Sequence, residues 1–238
     1  MEQVIALRRQ RFCGQQIARQ TAVSPATVSR ILRAAGISRA RDLDPPEPVV
    51  RYEREHPGEL IHLALTKLGR FEVEGHRVTG DRRKGSSRGA GWEFVHVCID
   101  DASRIAFSQV MPDEKKESAT AFLIAAIAYY ASLGVTVSRV MTDNGSCYRS
   151  HAFRDLCTAL GLKHIRTKPY TPKTNGKAER FIQTLLREWA YGLEYPTSDA
   201  RNIDLTRWLD WFNHARPHSA IKGLPPISAV NNLMGTHS

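Results

Sequence analysis

From Glu59 to Ala215 the sequence alternates between short apolar stretches of strand character and longer helical segments, and this order restricts the fold more than any other feature. Residues 60–65 and the largely apolar 94–99 read as strands, and 104–110 follows as a third after the turn-like Asp100-Asp-Ala-Ser103. Residues 117–133 form a long, mostly apolar helix that Gly134 ends. A strand over 135–141, a helix over 150–160 stopped by Gly161, and a short strand over 163–166 come next. Helices over 177–191 and 205–215 complete the run. Three strands followed by alternating helices and strands predict an α/β fold, a mixed five-stranded sheet with helices on its faces. The longest fully apolar run, 121–131, is too short to span a bilayer. Residues 1–7 contain Glu2 and lack the basic-then-apolar layout of a secretion signal. Cys13, Cys98, Cys147 and Cys157 form no CxxC pair, so neither a zinc knuckle nor a disulfide framework is indicated. A cytosolic globular chain with no membrane partner and no small-molecule substrate is expected.

Charge divides the chain before this pattern begins. The net charge of +10 suits a polyanionic partner, although other soluble basic proteins share it. Residues 1–43 hold eight Arg against Glu2 and Asp42, and the other 195 residues supply only +4. Within the basic part, Ser24 is a good N-cap and Pro25 a good first helical residue. Val28, Ile31 and Leu32 share one face, and Gly36 supplies a stop. With helical character over 15–20 just upstream, this reads as a helix-turn-helix. Ser24, Thr27, Ser29, Arg30 and Arg33 are then the candidate contacts to DNA phosphates or base edges. A small helical hairpin with solvated arginines is the blander reading. The expected division is a helix-turn-helix domain over 1–41, a Pro-rich linker over 42–57, a larger α/β core over 58–195 and a helical extension over 196–238.

Two acidic residues stand where open α/β sheets gather chemistry. Asp143 ends a strand in Val140-Met-Thr-Asp-Asn-Gly145, and Glu179 lies in the first turn of the helix after a Pro-rich basic loop. Singly, each has an ordinary explanation: Asp-Asn-Gly is a common turn, and Glu early in a helix suits the dipole. Together, with 35 residues between them and Lys168, Lys173, Lys177 and Arg180 around the second, they fit another role. Carboxylates in a basic setting are what two-metal phosphoryl transfer on nucleic acid requires.

The chain resembles the DDE transposase and retroviral-integrase superfamily, in particular bacterial insertion-sequence transposases with an integrase core. The resemblance rests on Pro57-Gly-Glu-Leu-Ile-His-Leu63, Lys67-Leu-Gly-Arg70, residues 92–104, Met141-Thr-Asp-Asn-Gly145, residues 167–180 and Asn213-His-Ala-Arg-Pro-His218, and it covers roughly 10–230. It implies an RNase H-like fold, two Mg²⁺ or Mn²⁺ ions, double-stranded terminal-repeat and target DNA as partners, and action as a dimer or tetramer. It also implies a bacterial, nucleoid-associated location. By resemblance Asp143 is the second catalytic Asp and Glu179 the Glu, both metal ligands. Water would attack the phosphodiester at the element end, and the freed 3′-OH would then attack target DNA.

One departure matters as much as the match. The family's first catalytic Asp falls at Ala64, and a methyl group ligates no metal, so ion binding is expected to be weakened and the centre disabled. An engineered substitution that traps a DNA complex accounts for this, and so does decay of a natural element copy, which the equally atypical Thr66 supports. The competing functional reading is a non-catalytic, sequence-specific DNA-binding protein that represses its parent element. Asp100 and Asp101 are the nearest alternative carboxylates, but turn chemistry explains them, and His62 is only a weak ligand candidate. Many relatives carry another helix-turn-helix upstream, so the chain reads as truncated or as a short member. Cys147 lacks the setting of a nucleophile. Trp208, Trp211 and Phe212 read as a packed helix face rather than a base-stacking platform, and Arg216 and His218 as either DNA contacts or a domain-ending turn.

Overall fold

The computed structural model describes residues 1–39, 42–43, 53–74, 80, 89–167 and 175–231. The chain forms two compact units, Met1–Tyr52 and Glu53–Ser238. Most of the expected linker, 44–52, lies outside the described residues.

The smaller unit contains three short helices, α1 (Glu2–Arg9), α2 (Gly14–Thr21) and α3 (Pro25–Ala34). The sequence pattern pointed to α2 and α3 but not to α1. Ser24 caps α3 by accepting the Thr27 N–H, and Pro25 takes the first helical position. The turn between α2 and α3 begins at Ala22, which sits in the left-handed region at φ 54°. Val4, Ile17, Ala18, Val28 and Leu32 make the core. Arg8 ties the ends together: its guanidinium donates to the carbonyls of Phe12, Ile37 and Ser38.

In the larger unit a five-stranded sheet runs in the order β3-β2-β1-β4-β5, with β1 Ile61–Gly69, β2 Trp92–Asp100, β3 Ala106–Met111, β4 Arg139–Thr142 and β5 Lys163–Arg166. The first three strands pair antiparallel, and β4 and β5 join parallel to β1, so the sheet is mixed as expected. The β1–β2 ladder runs from Ile61↔Asp100 to Gly69↔Trp92, which carries β1 beyond its apolar stretch. By contrast β4 is shorter than its apolar pattern suggests. The Val135 N–H bonds to the end of the preceding helix, at the Tyr130 carbonyl, and the Ser138 N–H bonds to the Gly58 carbonyl, so neither joins the ladder.

Period-two alternation along β1 sorts its side chains between two cores. Ile61 and Leu63 pack with Phe122, Leu123, Ala126 and Tyr130 of α4 (Lys116–Ser132) and Phe153 and Cys157 of α5 (His151–Ala159). Ala64 and Leu68 face the other way. There they meet Ala178, Phe181 and Leu185 of α6 (Gly176–Leu185) and Leu205, Trp208 and Phe212 of α7 (Ser198–His214). The helix expected over 177–191 changes character at Leu186–Ala190, a π turn that buries Trp189 and lets its indole N–H reach the Arg201 carbonyl. The last helix starts earlier than the apolar pattern shows, because Thr197 caps it at the Ala200 N–H. Residues 198–214 therefore contribute to the second core of this unit. A short α8 (Ser228–Asn231) follows, and among the described residues no helix is long and apolar enough to cross a membrane.

Asn213 at the end of α7 completes edge strand β3. It accepts the Ala106 N–H and donates to the Ala106 carbonyl and the Tyr129 hydroxyl, all buried or nearly so. Replacing it would leave a buried backbone donor and acceptor unpaired, at about 1–3 kcal/mol each. Asn213→Ala is therefore expected to lower unfolding stability in urea by about 2–4 kcal/mol.

Candidate active site

The site is built around the C-terminal end of β4. Thr142 is buried and its hydroxyl lies 2.9 Å from His164 Nε2 on β5, which fixes the strand end. Asp143 then leaves the sheet in a tight turn, its Oδ1 accepting the Gly145 N–H at 2.7 Å. Asn144 donates to the Thr167 carbonyl at 2.8 Å, joining this turn to the end of β5. A Cβ at Gly145 would stand 3.0 Å from Asp143 Oδ1, so the turn leaves little room for a side chain there. Asp143 is exposed.

Register brings Ala64 to this point. The parallel pairs Ile61↔Val140 and His62↔Met141, continued two residues, bring Ala64 level with Asp143 on the neighbouring strand. Ala64 is buried in the same cluster as Ala178 and Phe181 of α6. Because Ala178, Phe181 and Leu185 are the buried face of that helix, Glu179 and Arg180 are turned outward and exposed. Among the described residues Glu179 has no hydrogen bond or ion pair. Ala64 thus packs against the helical turn that carries Glu179, and the β1–β4 register, extended past its last pair, points it toward the turn of Asp143. The sequence-predicted Lys168 and Lys173 lie outside the described residues.

No group of three or more His, Cys, Asp or Glu side chains able to hold a metal ion occurs among the described residues. The neighbouring acids Asp100 and Asp101 are engaged elsewhere. Asp100 accepts hydrogen bonds from Gly58, Ala102 and Ser103, which cap its turn. Burial pushes its pKa up, against those bonds. Asp101 accepts from His62 Nε2 at 2.7 Å, Lys177 Nζ at 2.6 Å and the Arg54 N–H at 2.6 Å. Burial opposes its charge, but these donors outweigh it and hold the carboxyl well below the usual range. Lys177, a sequence-predicted DNA contact, is thereby committed to Asp101, also donating to its backbone carbonyl at 2.8 Å.

Sequence reasoning missed Asn175. Buried at the N-cap of α6, it joins His62 Nδ1 at 3.1 Å and donates to the Leu63 carbonyl. An Asn directly before a helix start was the available signal.

The remaining candidates separate clearly. Cys147 is buried and burial raises its thiol pKa, the opposite of an activated nucleophile. Trp208 and Phe212 pack against Phe181, whereas Trp211 is 43% exposed. Arg216 grips Glu188 of the π turn with two bonds of 2.8 and 2.7 Å. In the smaller unit Ser24, Ser29, Arg30 and Arg33 are exposed and Thr27 half-buried.

Two family models, both described as integrase core domain, match residues 73–172 and 160–226. The chain belongs to the integrase-core superfamily of DDE transposases and retroviral integrases. The chain is 35% identical over 81 residues to the "Transposase InsD for insertion element IS2A/D/F/H/I/K" of Escherichia coli, covering 34% of this chain and 27% of that protein. The "Putative transposase InsD for insertion element IS2E" of the K12 strain matches over the same length, 37% of its own. The chain thus spans roughly a third of the relatives it matches. Its fold is also that of a chain in a simian T-cell lymphotropic virus intasome, at TM-score 0.57 and 20% identity over 99% of this chain and 74% of that one. The catalytic core domain of BIV integrase matches at TM-score 0.51 and 20% identity, over 74% of this chain and 96% of that one. These likenesses identify the sheet and its flanking helices as RNase H-like.

Two predictions follow from the site and its rim. Ala64→Asp would bury a carboxylate among apolar neighbours, so its melting temperature should fall without divalent ions and recover with Mn²⁺ more than that of the unaltered chain does, as read by scanning fluorimetry. His218 stacks edge-on against Phe212, and burial, then Arg216 and Arg104, push its pKa down to about 4. The unfolded chain protonates this ring near the ordinary value of about 6.5, so stability should fall as pH drops from about 6.5 to about 4. His218→Gln should flatten that part of the denaturation profile.

Proposed function

We propose that the chain is an insertion-element transposase in which the phosphoryl-transfer centre is disabled at position 64. The observation that carries this reading is the extended β1–β4 register, which brings Ala64 level with Asp143 beneath the helix of Glu179. Asp143 and Glu179 are the catalytic carboxylates and candidate ligands for divalent ions, Mg²⁺ or Mn²⁺. With alanine at the third position the residues present do not fit a two-ion centre, so no chemical step is assigned to the chain as it stands. Restoring the carboxylate would supply the missing ligand.

The substrate in this reading is double-stranded DNA, the terminal repeats and a target, engaged by a homo-oligomer on the bacterial nucleoid. Residues 1–41 act as the helix-turn-helix module. The exposure of Ser24, Ser29, Arg30 and Arg33, with Thr27 beside them, supports their contact with DNA, as does the exposure of Arg180 near Glu179. Asp143 and Glu179 stay available in this arrangement, whereas Asp100 and Asp101 are consumed by structure.

The alanine also favours a second reading, a non-catalytic DNA-binding repressor of the parent element. Strand cleavage and joining on duplexes with the element's terminal repeats, in Mg²⁺ and in Mn²⁺, separate the two. Ala64→Asp should exceed the unaltered chain on the order of 10³-fold or more. Equal inactivity of both would favour the repressor, and activity of the unaltered chain would overturn the assignment of Ala64. Both proteins should bind DNA with an affinity that falls steeply with salt.

A further inference from the structure

Asn175 occupies the N-cap of α6 without capping it: no side-chain hydrogen bond reaches its own helix. Its side chain instead crosses to β1. The amide Nδ2 donates to the Leu63 carbonyl at 3.3 Å, and Oδ1 lies 3.1 Å from His62 Nδ1. The other ring nitrogen of His62 meets Asp101 Oδ1 at 2.7 Å, and that same oxygen takes the Lys177 ammonium at 2.6 Å. Lys177 lies on the first turn of α6, two residues from Asn175. The circuit thus leaves the helix at Asn175, passes through His62 and Asp101, and returns to the helix at Lys177. His62, Asp101 and Asn175 are each at least 95% buried.

We propose that this closed circuit is a latch that positions Glu179, with Asn175 as its key positioning residue. Glu179 follows Asn175 by four positions, about one helical turn, so the anchored start of α6 governs the turn that carries Glu179. Fixing Asn175 to the Leu63 carbonyl, the residue directly before Ala64, sets where Glu179 stands along β1. None of the four latch residues needs to touch DNA or metal. The inference rests on the phosphoryl-transfer reading for its consequence, but the latch itself does not.

The chemistry of the cap provides a discriminating variant. Asp is as good an N-cap as Asn, so Asn175→Asp preserves a capping role. It has no amide to donate to the Leu63 carbonyl, and it breaks the latch. Hydrogen exchange in the full chain as given is the first arm, comparing amides 180–183 of α6 with those of α4. Both Asn175→Ala and Asn175→Asp should speed exchange at 180–183 by about tenfold or more and leave α4 unchanged. Unaltered exchange in Asn175→Asp would show that Asn175 is only a cap, and faster exchange throughout the unit would show a general structural role. Either result overturns the latch.

The second arm measures strand joining on the same terminal-repeat duplexes in the Ala64→Asp background. A misplaced Glu179 should lower kcat about 10²-fold for both Asn175 variants with DNA KM unchanged, since displacements near 1 Å cost that much. A loss confined to KM would overturn the positioning role. If Ala64→Asp itself joins no strands, the proposed function fails, and the exchange arm alone decides the latch.

Discussion

A central strand has to satisfy backbone groups along both edges and bury side chains on both faces, and β1 does this for the whole larger unit. Its antiparallel partner β2 runs along its length, and the parallel β4 meets it over Ile61 and His62. Ile61 and Leu63 anchor one core, and Ala64 and Leu68 the other. Shifting this strand by one residue would exchange the two sets and break both cores. The same register, extended past its last β1–β4 pair, brings Ala64 level with Asp143, so the geometry of the candidate site depends on how the fold is stabilised.

That dependence also explains how the frame tolerates an alanine at this position. Ala64 is an apolar residue in an apolar cluster, so it suits the fold whatever the chemistry of the proposed centre. The polar residues nearby divide by the same logic. Asp100, Asp101, His62, Lys177 and Asn175 are engaged with one another or with backbone, whereas Asp143 and Glu179 are exposed. Buried polar groups need partners, and groups that meet a substrate need solvent access. Exposure separates the two classes here better than charge does.

Much of this could be read from the sequence, because apolar alternation and helix stops are local signals. All five strands and the positions of Asp143 and Glu179 follow from such patterns. The misses share a different cause. The shortening of β4 depends on bonds from Val135 to Tyr130 and from Ser138 to Gly58, partners that no local pattern names. Helix α1 buries only Val4 and Arg8, too few for a strong periodic signal. The basic surroundings of Lys177 do not name its partner Asp101, 76 residues away. Nor does a local pattern name the bonds of Asn175 to β1, which span 112 and 113 residues.

Positions 64, 143 and 179 are proposed to converge on one point. The most direct measurement is the anomalous scattering of Mn²⁺ in crystals of the Ala64→Asp protein. A peak within coordination distance of Asp143, Glu179 and the introduced carboxylate together is expected. A peak at any other place, or one held by Asp143 or Glu179 without the introduced carboxylate, would contradict that convergence.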